Sequence, residues 1–113
     1  MDTIERNLPI GTVVLLKGGK KRVMILSYLV FATNKEGKKV LYDYGACYYP
    51  EGAMDTKNAV GFNQEDIEKV VYKGLSDDSE YRELKQALDK YGSDMKKEFK
   101  VILDSENAKQ GKE

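Results

Sequence analysis

A change of hydrophobic period near Ser76 constrains the fold of this chain more than any other feature of its sequence. Before it, β-branched and aliphatic runs of strand length are separated by turn residues; after it, apolar residues recur at steps of three and four. Strands followed by helix, rather than strands alternating with helices, predict an α+β domain. Thr12-Val13-Val14-Leu15-Leu16-Lys17 reads as the first strand, closed by Gly18-Gly19-Lys20, a hairpin signal because primed turns need positive φ. The second, about Lys21 to Thr33, is apolar on both alternations in its middle, so both its faces are expected to be covered. Asn34-Lys35-Glu36-Gly37 is the next turn, and Lys38 to Tyr49 is the third strand. This meander predicts a small, strongly bent antiparallel sheet or an SH3-like barrel.

Pro50-Glu51-Gly52 ends the third strand, since proline cannot donate to the ladder and suits a tight turn closed by glycine. The polar stretch from Ala53 to Gly61 reads as a surface loop. Asn63 is then a good N-cap, with Glu65 and Asp66 in the first turn, so a short helix of one or two turns is expected there. Val70-Val71-Tyr72 suits equally a short strand completing the sheet.

From Ser76 a capping residue and the acidic Asp77, Asp78 and Glu80 open a helical region. Its apolar seam is Tyr81, Leu84, Leu88, Tyr91, Met95 and Ile102, interrupted by Glu98. Gly92-Ser93 either breaks the region into a helix pair or is carried within one helix, because glycine costs up to about 1 kcal/mol there. The seam packs on the domain's own sheet or on a partner helix. The expected organisation is a single domain over residues 1–104, with a sheet-rich core at 8–74, a helical region at 76–104 and a disordered tail at 105–113.

A chain of 113 residues, 41% apolar, has room for one small core. Nineteen basic and nineteen acidic residues cancel, so no global field favours nucleic acid or an anionic membrane. The longest apolar run, Val23 to Ala32, contains Ser27 and is half the roughly 20 residues a membrane helix needs. Met1 to Arg6 does not read as a secretory signal, and a cytoplasmic protein is expected. The lone Cys47 excludes an internal disulfide and a cysteine-clustered zinc site, and reads as a small buried hydrophobe. With no histidine there is no Ser-His-Asp or Cys-His machinery and no imidazole metal ligand. No cofactor and no metal site is expected: Glu65 and Asp66 read as first-turn helix stabilisers, lacking the oxygen-rich spacing of a calcium loop. Gly18-Gly19-Lys20-Lys21-Arg22 lacks the spacing of a phosphate-binding loop and reads as a charged hairpin tip.

Four of the eight tyrosines fall at positions 42 to 49. Tyr42, Tyr44, Tyr48 and Tyr49, with Glu51 in the adjoining turn, form one candidate recognition surface; Tyr81, Leu84, Leu88 and Tyr91 form a second. Strand alternation predicts Tyr42, Tyr44 and Tyr48 on one face and Leu41, Asp43, Cys47 and Tyr49 on the other. Asp43 is expected mainly to accept hydrogen bonds within the sheet. No residue is assigned a catalytic role; the competing reading is a hydrolase acting on a glycan through Asp43 and Glu51, and a third is a homodimer formed through the seam.

Leu8-Pro9-Ile10-Gly11-Thr12-Val13-Val14-Leu15-Leu16-Lys17-Gly18-Gly19, then Met24-Ile25, Tyr42-Asp43-Tyr44, Tyr49-Pro50-Glu51-Gly52 and Phe62-Asn63-Gln64-Glu65-Asp66-Ile67 together resemble the family called domain of unknown function 4176. The resemblance covers roughly Leu8 to Leu84, in order. It implies a small Gram-positive bacterial protein associated with type VII secretion loci and LXG-type toxins. The implied role is accessory or chaperone, and the implied partner is an α-helical region of a secreted effector. The region after Leu84 lies outside the shared pattern, so any specificity there would be this chain's own.

Overall fold

The computed structural model describes residues 4–53 and 59–110. Five strands, β1 (Val13–Leu16), β2 (Arg22–Thr33), β3 (Lys39–Tyr48), β4 (Val60–Phe62) and β5 (Ile67–Tyr72), are followed by one helix, α1 (Ser79–Gln110). They form a single open antiparallel sheet in the order β4-β3-β2-β1-β5. Of the expected alternatives, the bent sheet and the single helix are the ones realised: α1 runs unbroken through Gly92 and Ser93. At about 1.5 Å per residue a helix of this length accounts for the 48 Å long dimension of the molecule.

The expected turns close the meander. Gly18 has φ 74° after β1, and Asn34 Oδ1 accepts from the N–H groups of Glu36 and Lys38 between β2 and β3. After β4 the expected helix is one 3-10 turn, Gln64–Asp66. The Asn63 carboxamide oxygen accepts from Asp43 N at 3.0 Å, tying this turn to β3 instead of capping a longer helix. The chain then extends as β5 against β1, so Val70-Val71-Tyr72 is strand. Within the expected loop, Val60 and Gly61 belong to β4, and residues 54–58 lie outside the described residues. The expected tail is helical as far as Gln110, because Glu106 and Asn107 bond Lys39; residues 111–113 lie outside the described residues.

The core joins Leu8, Val14, Val23, Ile25, Tyr44, Ala46, Phe62 and Ile67. Cys47 is buried and unpaired. Each large buried apolar side chain contributes about 1.5–3 kcal/mol relative to exposure. The expectation that β2 is covered on both faces holds only in part, since Leu26 and Phe31 are exposed. A register shift between Ile25 and Ser27 displaces Leu26 from the ladder, and Phe31 is covered only by the edge of Phe99 from α1.

Regular alternation fails again in the middle of β3. Gly61 and Phe62 are neighbours in β4 and point to opposite faces. The Tyr42 ring lies over Gly61, where a Cβ would come within 2.4 Å of it, whereas the Tyr44 ring stacks on Phe62 at 5.2 Å. Tyr42 and Tyr44, two residues apart, therefore lie on opposite faces, contrary to simple strand alternation. Asp43 goes with Tyr44, because both side chains bond Gln64 and both line the cleft under α1. On β2 the partners of Tyr44 and Tyr42 are Tyr28 and Val30, and Leu29 between them has φ 51°. That conformation costs a side-chain-bearing residue about 1–2 kcal/mol.

Where β5 ends, the N–H of Gly74 donates to the fully buried Thr12 Oγ1 at 3.0 Å. A Cβ at Gly74 would sit 2.4 Å from the Ile10 carbonyl oxygen, which is backbone and cannot swing away. Gly74→Ala is expected to lower stability by about 1–3 kcal/mol in urea unfolding; an unchanged midpoint would contradict this packing.

Candidate functional site

The side of α1 that meets the segment before β1 and the sheet is mostly polar. Tyr81 donates to Asn7 O at 2.8 Å, and Lys85 Nζ to Arg6 O at 2.7 Å. Asn7 Nδ2 donates to Asp89 Oδ1 at 2.7 Å, and Lys96 Nζ to Asp43 Oδ1 at 2.8 Å. Asn107 exchanges two hydrogen bonds with the backbone of Lys39, whose ammonium pairs with Glu106 at 3.2 Å. Apolar anchoring comes from Phe99, edge-on to Phe31 at 5.7 Å, and from the buried Leu103. These contacts fall at 81, 85, 89, 96, 99, 103 and 107, a helical stripe.

The seam read from the sequence is a neighbouring stripe. Tyr81 and Leu88 are half-buried at the junction, but Leu84, Tyr91, Met95 and Ile102 are 46%, 51%, 38% and 55% exposed, and Val101 beside them 69%. Of the two expectations for the seam, packing on the domain's own sheet is met by Tyr81 and Leu88 alone. The other four residues form a ridge with no partner among the described residues.

The tyrosine surface is likewise divided. Tyr44, 1% exposed, is a core residue and not a recognition residue. Its ring packs between Tyr28 and Phe62; its hydroxyl accepts from Leu8 N at 3.2 Å and donates to Gln64 Oε1. Burial raises its pKa, as it does that of Tyr28, whose hydroxyl donates to Leu8 O at 2.6 Å. Burial likewise pushes Tyr81 up to about 12, so all three phenols are neutral donors at physiological pH. Tyr42 is half-buried over Gly61 on the opposite face. Tyr48 and Tyr49 are exposed at the end of β3, with the Arg22 guanidinium 5.0 Å from the Tyr49 ring centroid. Beside them Glu51 accepts from Lys21 Nζ at 2.6 Å, a contact that lowers its pKa.

Asp43 and Glu51 are not brought together. Asp43 lies in mid-β3 between Lys96 and Gln64 N, and five residues of strand, roughly 16 Å at about 3.3 Å each, separate it from Tyr48, where the turn to Glu51 begins. Carboxylates acting as a glycosidase pair lie about 5–10 Å apart. Among the described residues, no cluster of three or more His, Cys, Asp or Glu is placed to hold a metal ion, and no helix is long and apolar enough to cross a membrane. Alternation hid the pairing of Asp43 with Lys96. Its signal in the sequence was the carboxylate itself, in an apolar strand and in need of a partner.

The family profile described as Domain of unknown function (DUF4176) matches residues 7–82, from Asn7 beside the core to the first turn of α1. The chain belongs to this family. No curated protein and no solved structure matches it. The matched region holds the whole sheet and its core, whereas the exposed ridge of α1 lies beyond it.

Two outcomes test the junction. Tyr44→Phe strands the buried Leu8 N–H and is expected to cost about 1–3 kcal/mol in urea unfolding, while an exposed role for Tyr44 would make it neutral. Asp89 is held below the ordinary carboxylate pKa, first by the Asn7 amide and then by Lys85. Its contribution is therefore complete above the unfolded value of about pH 4 and is lost as pH falls through the lower folded value. Asp89→Asn should lose less stability than the native chain between pH 5 and pH 3; parallel losses would show that this carboxylate does not secure the helix.

Proposed function

We propose that this chain is a non-enzymatic protein-binding module, a cytoplasmic accessory or chaperone protein that engages an α-helical region of a type VII secretion effector. The observation that carries the reading is the ridge Leu84, Tyr91, Met95 and Ile102, apolar and exposed along one face of a 32-residue helix. Residues at this spacing suit an amphipathic partner helix laid alongside α1, with Leu and Tyr supplying most of the contact area. The ridge is displaced from the sheet-facing stripe, so a partner could occupy it without disturbing the junctions at Asp43, Asn7 and Lys39. Its place beyond the family match fits a partner particular to this chain. Tyr48, Tyr49 and Glu51, at the far end of β3, offer a second and smaller exposed surface.

The test is co-purification from the native host with any type VII secretion effector that its neighbouring genes encode. The quadruple variant Leu84→Ser, Tyr91→Ser, Met95→Ser, Ile102→Ser is expected to keep its helical circular dichroism and lose the effector at least tenfold. Full binding by that folded variant would overturn the reading. Light scattering on the protein alone distinguishes the homodimer formed through the same ridge, which would double the mass and leave no free face for an effector.

A further inference from the structure

Three local departures from regular backbone and packing converge on one cleft. Among the described residues, Asn7 and Leu29, at φ 56° and 51°, are the two non-glycine residues with positive φ. Both line the cleft of about 450 Å³ between α1 and the sheet, and Gly92, the glycine within α1, stands over it. Glycine in a helix interior is costly, and packing does not require it here, because a Cβ at Gly92 would meet nothing within 4 Å. Strained residues held in place by surrounding structure mark ligand clamps and other functional sites, and a bare helix backbone leaves room for a ligand to approach. The volume is that of a small-molecule site, within about 300–1,000 Å³.

The cleft's chemistry defines what would fill it. Arg6, Lys85 and Lys96 face Asp43 and Asp89, leaving the lining one negative charge short. Lys96 is taken by Asp43 and Lys85 by Asp89, but among the described residues nothing pairs with the Arg6 guanidinium. Guanidinium binds carboxylate through two parallel hydrogen bonds. Leu29 and Leu88 give the same cleft an apolar wall. We propose that this cleft binds a small organic monocarboxylate, its anionic head on Arg6 and its apolar body against Leu29 and Leu88 beneath Gly92. This site is separate from the exposed ridge, so its failure leaves the effector-binding reading standing.

Titration of benzoate into the full-length, nitrogen-15-labelled protein tests it, with inorganic phosphate as a parallel arm at matched ionic strength. Saturable amide shifts at Leu29, Asp43, Gly92 and Ser93 with benzoate, and none with phosphate, are expected. Gly92→Leu, which fills the cleft, should abolish them, and Arg6→Ala at an exposed position should weaken binding at least tenfold in a chain that folds normally. Absence of saturable shifts, an equal response to phosphate, or undiminished binding in Arg6→Ala would each overturn the proposal.

Discussion

The sheet depends on one irregularity, the presentation of two consecutive side chains, Asp43 and Tyr44, to the side that carries α1. A regular strand would turn one of them away. With both inward, Tyr44 closes the core against Phe62 and Tyr28, and Asp43 holds Lys96 in the middle of the helix. Tyr42 is freed to cover the opposite face at Gly61, which has room for a ring because it has no side chain. Leu29, opposite the break on the adjoining strand, has positive φ, and that backbone cost is offset by what the two inward residues gain: four hydrogen bonds and an aromatic stack.

The helix is consequently held by discrete points rather than by a continuous apolar seam. Polar contacts with Asn7, Arg6, Asp43 and Lys39 space it along the sheet, and Phe99 and Leu103 pin its C-terminal half. Exposed ion pairs contribute little each, so the docking relies on the partly buried Asp43–Lys96 contact and on the aromatic pair. Such a junction leaves the helix's most apolar ridge exposed, and the proposed binding of a partner helix rests on that ridge.

The sheet was legible where local chemistry was strong. Gly18-Gly19 and Asn34 with Gly37 marked the two hairpins, and β-branched runs marked β1 to β3. The strand at Val70 stayed open because a three-residue apolar run fits either period. Nothing at Leu29 announces a break in alternation, since leucine carries no preference for positive φ, so simple alternation puts Tyr44 with Tyr42. The helix was legible but its inward face was not, because hydrophobic spacing selects Leu84, Tyr91 and Met95. The inward contacts are instead those of Lys85 and Asp89 with Arg6 and Asn7 in the segment before β1, and of Lys96 and Asn107 with Asp43 and Lys39 in β3. The helical extension to Gln110 was hidden for the same reason, being anchored by Glu106 and Asn107.

The two faces of β3 are distinguished most directly by nuclear Overhauser contacts of the tyrosine rings. Cross-peaks from the Tyr42 ring to the Gly61 α-protons, and from the Tyr44 ring to the Phe62 ring, with none between Tyr42 and Phe62, are the predicted result. Contacts from both tyrosine rings to Phe62 would restore regular alternation and contradict this account of how the helix is held.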